Sequence, residues 1–176
     1  MSGKIIASLI VLISVLVGVG IYYQQIYAYY EPVSVDAVHG EVKLTSLVSG
    51  LPEVIPAESF EGIDAESSPL RYRACFSMPT SIATLTETYL IHEDPVPLIG
   101  PGWFDCFDAK SIGKALESGV AVGFMGQENI TFGIDRVIAV FEDGRAYAWN
   151  QMNACGEAVF DGKPAPTGCP PAPEKN

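Results

Sequence analysis

Residues 130–152 read ITFGIDRVIAVFEDGRAYAWNQM. Ile130 to Phe141 and Ala146 to Met152 are rich in β-branched and aromatic residues, and EDGR at 142–145 carries turn chemistry between them, so the stretch predicts two antiparallel strands joined as a hairpin. Working outward, VAVGFM at 120–125 predicts another strand. Residues 70–76 alternate, with Leu70, Tyr72, Ala74 and Phe76 on one face and Arg71, Arg73 and Cys75 on the other, which is strand periodicity. Ser81 to Ile91 is rich in Thr, Ile and Tyr and also predicts a strand. Asp108 is placed to cap a helix over Ala109–Ser118, which stops at Gly119. Residues 31–62 mix short β-branched stretches with Pro32, Pro52 and Pro56, permitting one or two short strands and no long helix.

From Ile5 to Tyr23 the sequence IIASLIVLISVLVGVGIYY holds 19 residues without a charge. As a helix this spans roughly 28 Å of a roughly 30 Å hydrocarbon core. A cleaved signal peptide shares this pattern. The run is longer than a usual signal core, however, and the nearest imitation of a small-residue cleavage site, Ile26-Tyr27-Ala28, has a bulky first residue. Lys4 precedes the run and no Lys or Arg follows before Lys43, so the charge bias places the N-terminus in the cytoplasm and the rest outside. Tyr22, Tyr23, Tyr27, Tyr29 and Tyr30 cluster just beyond the run, where amphipathic rings favour the headgroup layer.

The formal net charge is −11, and the part beyond the apolar run carries 9 basic and 21 acidic groups, a balance of −12. Such a surface repels phosphate backbones, which excludes nucleic acid as a partner class. All four cysteines, Cys75, Cys106, Cys155 and Cys169, fall on the outer side. An even count in an oxidising compartment points to two disulfides. Four cysteines allow three pairings, and the preferred one joins Cys75 to Cys106 and Cys155 to Cys169. Each bridge contributes roughly 3–4 kcal/mol by restricting the unfolded chain.

RYRACF, PGWFDCFDA, IGKALESG and GIDRVIAVFEDGRAYAWNQMN, behind one apolar span, resemble an uncharacterised family of small single-pass alphaproteobacterial membrane proteins. The resemblance runs through nearly the whole chain. It implies a Gram-negative inner membrane with the domain in the periplasm, and it brings no catalytic residue. Some relatives carry a histidine-kinase label, which these residues do not support, because no glycine-rich nucleotide lid is visible and there is no room for both a dimerisation helix pair and an ATP-binding domain.

The expected fold is α+β: an N-terminal transmembrane helix plus a small, mainly antiparallel-sheet domain with one helix and two disulfides. The expected segments are a cytoplasmic n-region (1–4), an anchor through the lipid bilayer (5–23), an interfacial stem and extended approach (24–62), a periplasmic α+β domain (63–170) and a flexible tail (171–176). Nucleophilic, zinc-hydrolytic and nucleotide chemistry lack their usual motifs, so no cofactor, metal or catalytic residue is expected. Cys75 and Met78 form a C-x-x-M that soft Cu(I) accepts, but a disulfide removes the thiolate. His92, Glu93 and Asp94 look like an exposed turn rather than an acid–base cluster, and Asn129-Ile130-Thr131 matches a glycosylation acceptor that is inert in a bacterium. The expected function is a non-enzymatic, membrane-anchored accessory or interaction module of an envelope complex, meeting an unidentified inner-membrane or periplasmic protein. Arg71, Arg73, Tyr27, Tyr30 and Trp103 are the candidate contacts, ahead of His39 and His92. The alternatives are a thiol or copper handling assembly factor and a small-ligand-binding or hydrolytic domain.

Overall fold

A computed structural model of the chain describes residues 3–34 and 41–172. Parts of the expected n-region and tail, and His39, lie outside the described residues. The chain divides into two compact units, Met1–Glu31 and Pro32–Asn176. The first holds helix α1 (Gly3–Tyr23), continued by a π-helical turn over Gln24–Ala28. The most apolar 18-residue stretch of Gly3–Ala28 has a mean hydropathy of 2.7 and none of it is buried by protein, so the helix is long and apolar enough to cross a membrane. The Tyr23 and Tyr27 rings stack 5.7 Å apart at its end.

The second unit is built on a six-stranded sheet whose described pairings are all antiparallel. Its strands are β1 (Glu31–Val33), β4 (Glu58–Asp64), β5 (Arg73–Ser77), β6 (Ala121–Thr131), β7 (Ile134–Phe141) and β8 (Arg145–Met152), in the order β1-β4-β5-β8-β7-β6. The hairpin read from 130–152 is β7–β8. Its turn closes at Gly144, with φ +85°, and Asp143 accepts from the Arg145 backbone N–H at 3.1 Å. The expected strand from Ile130 is in fact broken at Phe132-Gly133, where β6 turns into β7. Gly133, at φ +77°, faces Gly156 so closely that a Cβ on either would overlap the other's backbone.

Alternation along the strands separates two faces. Ala74, Phe76, Ile138, Val140, Ala146 and Ala148 point to one side, where they form a core with Val42, Leu44, Ile55 and Leu85. Leu44 comes from β2 (Lys43–Thr45), which pairs with β3 (Pro52–Val54). Val42, Leu44 and Ile55 therefore belong to the core, within a compact unit that runs from Pro32. Their apolar positions are few but land on a sheet face that needs covering.

Leu85 comes from α2 (Ile82–Thr88), a helix where the Thr-rich composition predicts a strand. Local bonds override that propensity. Ser81 caps the helix by accepting from the Thr84 N–H at 3.3 Å, and Thr86 and Thr88 donate back to the Ala83 and Thr84 carbonyls at 2.9 and 2.7 Å. Helix α3 (Ala109–Glu117) stands where the sequence places it, with Asp108 accepting from the Lys110 and Ser111 amides and Gly119 at φ +71° just past its end. A further short helix, α4 (Ala154–Phe160), is capped by Asn153 and carries Cys155, so the α+β domain holds α2 and α4 in addition to the one expected helix. The disulfides join Cys75 to Cys106 and Cys155 to Cys169.

Candidate functional site

The second face of the sheet presents Arg73, Cys75, Val137, Tyr147, Trp149 and Gln151, with Arg73, Trp149 and Val137 paired across three strands. Residues 92–108 cross this face without helix or strand. A segment of that length needs side-chain partners to hold its backbone. Gln151 accepts from the Val96 amide at 2.9 Å and from Trp149 Nε1 at 3.0 Å, while its own Nε2 donates to the Asp94 carbonyl at 3.0 Å. Arg73 donates to the Leu98, Ile99, Leu70 and Tyr72 carbonyls at 2.6–3.1 Å and lies 5.6 Å from the centre of the Phe107 ring. Cys106 ties the end of the crossing to β5, and Phe107 packs edge-on against Tyr147 and Trp149.

Pinned this way, the 93–97 segment stands opposite α3 and leaves between them a cleft of about 620 Å³. One wall carries Glu93 and Asp94; the other carries Lys110, Lys114 and Glu117; Pro95, Pro97, Gly113 and Leu116 supply the apolar lining. Glycine is needed under it, because a Cβ at Gly123 would strike the Pro95 ring. Lys110 and Lys114 lie four residues apart on α3 and form no ion pair among the described residues. By contrast, Lys43, Arg145 and Lys163 are paired with Glu41, Asp143 and Asp161. The cleft thus carries both signs, with the two ammonium groups, unpaired among the described residues, alongside the carboxylates of Glu93, Asp94 and Glu117. Among the described residues no group of three or more His, Cys, Asp or Glu side chains is arranged to hold a metal ion.

Near the cleft, Nδ1 of half-buried His92 accepts from the Asp94 amide at 3.2 Å. Burial holds the imidazole below its ordinary value of 6.5, outweighing the opposing pull of Asp135, Asp94, Glu128 and Glu93. Asp135, itself buried, accepts from the Asn129 amide and from Asn153 Nδ2 at 2.8 and 2.7 Å, tying the β6–β7 bend to the α4 cap. The Asn129 side chain accepts from Gly133 and Asn153 in the same knot.

The residues singled out from sequence are scattered. Arg73 is only 3% exposed and spends its donors on backbone carbonyls, so the expected basic strand face does not exist. The alternation that suggested it holds only from Arg73 onward, since Leu70 and Arg71 lie in a 3₁₀ turn, and residues 92–108 cover the face it assigns to Arg73 and Cys75. Arg71 is half-buried in the 3₁₀ turn Pro69–Arg71, ahead of β5. Trp103 is half-buried and meets Phe104 edge-on at 6.2 Å. Tyr27 is exposed and Tyr30 half-buried, both in the first unit. Met78 packs in the core with Phe76 and Leu85, a cluster to which disulfide-bonded Cys75 does not belong. Lys110, Lys114 and Gln151 were missed; their helical spacing and strand position were legible, but their partners arrive from 93–97.

The long apolar helix, of signal or anchor type, and the two disulfides indicate a secreted or membrane-anchored extracytoplasmic domain. No curated protein and no solved structure matches the chain. A family profile does match, over residues 42–170, the stretch that contains the hairpin core, the pinned crossing, the cleft and all four cysteines. On that extent of match the chain belongs to a family of unknown function, DUF6446.

Proposed function

We propose that the protein is a membrane-anchored accessory or interaction module, held in the bacterial inner membrane by residues 5–23 with its N-terminus in the cytoplasm and its domain in the periplasm. The observation that carries this reading is a 26-residue helix whose most apolar stretch is not buried among the described residues, preceding a domain stapled by two disulfides. Lys4 before the span and the absence of Lys or Arg until Lys43 support the orientation. Tethering raises the domain's effective concentration near other membrane proteins, so binding without chemistry suffices for a role in an envelope complex. Affinity purification from native membranes tests it: a stoichiometric membrane partner is expected, and its absence in gentle detergent overturns the reading. N-terminal sequencing separates anchor from signal peptide, since a soluble chain beginning near Tyr29 removes the anchor.

A second reading, a small-ligand-binding domain, is favoured by the cleft between 93–97 and α3. It predicts saturable binding of small carboxylates that Lys110→Ala with Lys114→Ala abolishes in a calorimetric titration. Heat signals that survive the double substitution place the ligand elsewhere.

A further inference from the structure

The β2–β3 hairpin ends in a tip that no other part of the described unit covers: Leu47 is 51% exposed, Val48 96% and Leu51 65%, with Val54 also exposed at its base. Nothing charged lies in sequence between Lys43 and Glu53, in a domain of charge −12, and the Glu53 carboxylate accepts from Ser49 Oγ at 3.1 Å at the base of the tip. The tip is nevertheless ordered by its own bonds. Ser46 donates to the Leu51 carbonyl at 3.0 Å, Gly50 to the Ser46 carbonyl at 2.9 Å and Leu47 to the Thr88 carbonyl at 2.9 Å. The Ser49 and Leu51 amides reach the hydroxyls of Ser46 and Ser49 at 3.5 and 3.2 Å. Five of the six amides from Ser46 to Leu51 therefore have a protein acceptor while three aliphatic side chains face outward. Entry into an apolar layer costs least when the backbone is already satisfied, because unpaired amides cannot find water there.

We propose that this tip is a second membrane contact, inserting Leu47, Val48 and Leu51 into the headgroup–acyl boundary of a lipid bilayer. This contact rests on the anchor reading above: β1 begins at Glu31, only eight residues past the end of α1 at Tyr23. Such a tether reaches at most roughly 30 Å even when fully extended, which keeps the domain's surface within reach of the bilayer. Three aliphatic side chains need no anionic lipid, and an acidic domain with Glu53 beside the tip would be repelled by one, so neutral phospholipid is the fitting surface. The tip then restrains the tethered domain on the membrane surface rather than leaving it free to tumble.

The test uses the full chain reconstituted in phosphatidylcholine nanodiscs, with methyl resonances of Leu, Val and Ile read against a doxyl-labelled lipid and, separately, a water-soluble paramagnet. The methyls of Leu47, Val48 and Leu51 are expected to lose most of their intensity to the lipid probe, while Ile99 and Val120, exposed over the same range in the domain, lose theirs to the aqueous probe. If Val48 follows Ile99 and Val120, the proposal is overturned. The L47S/V48S/L51S variant is expected to keep the remaining methyl shifts, reporting an intact fold, and to lose the lipid effect. Should that variant instead shed a co-purifying protein while the native tip shows no lipid effect, the tip is a protein contact and the lipid assignment is wrong. Alkaline extraction of native membranes reads the anchor separately: release of the chain removes the anchor reading and the tethered contact together, whereas retention with a water-exposed tip removes only the latter.

Discussion

On one face of the central sheet, Leu44, Ile55 and Leu85 cover Phe76, Ile138 and Ala148 mainly with aliphatic and aromatic contacts, beside one buried bond from Thr45 to the Gly126 carbonyl. On the other, residues 92–108 cross Trp149 and Val137 with no regular structure, and the cover is fastened by an arginine, a glutamine and a disulfide. The first face follows the usual economy of burial, in which area removed from water does most of the stabilising. The second requires polar side chains in the interior because an irregular backbone brings its carbonyls and amides with it. The cleft lies over the second face. The loop wall of the cleft is thus held by specific side chains rather than by secondary structure.

The comparison is broken most directly at Arg73. Arg73→Leu keeps the bulk but leaves the carbonyls of Leu98, Ile99 and Leu70 without their donor, and a loss of about 3–5 kcal/mol is expected in denaturant unfolding of the detergent-solubilised chain. A loss below about 1 kcal/mol would mean that the crossing is held by burial like the first face.

Replacing Cys75 and Cys106 together by alanine comes next. For a separation of 31 residues the chain-entropy model gives about 3.7 kcal/mol. Because the bridge fastens the end of the crossing, protease cleavage within 98–105 is expected to accelerate before the sheet unfolds. Cleavage that tracks global unfolding instead would show that the disulfide acts on the unfolded state alone.

The apolar face offers the contrast. Leu44, fully buried, is surrounded by side chains that can adjust, so Leu44→Met is expected to cost less than about 1.5 kcal/mol. A cost equal to that of Arg73→Leu would erase the distinction between the faces.

The smallest effect is a pH slope from His92, which sits where the crossing begins. Burial depresses its folded pKa below 6.5, so as acidity rises the unfolded chain takes up the proton first. Its contribution is complete above about pH 6.5 and is lost as pH falls from there through the depressed folded value. Unfolding midpoints measured across that window are expected to fall with pH in the native chain, and to fall less in His92→Gln. Parallel curves would assign the slope to other groups.

Local pattern decided much of this protein. The 5–23 span, the β7–β8 hairpin around Gly144, the Asp108-capped helix α3 and an even set of cysteines outside the span each rest on periodicity, capping or charge within a short window, and short windows are what a sequence displays. Even so, α2 eluded the composition of 81–91, because the competition between Thr strand propensity and Thr back-bonding is decided by whether Leu85 finds a core to enter. Tertiary structure alone decided the fate of Arg73. Its periodicity marks only which face it takes, and two of its acceptors arrive 25 and 26 residues later in the chain, so whether that face meets water or the 92–108 backbone is a long-range outcome. The cleft and the exposed hairpin tip belong to the same class: Lys110, Lys114, Leu47 and Val48 are unremarkable in sequence, and their significance comes from what the fold leaves opposite them, a loop wall in one case and open solvent in the other.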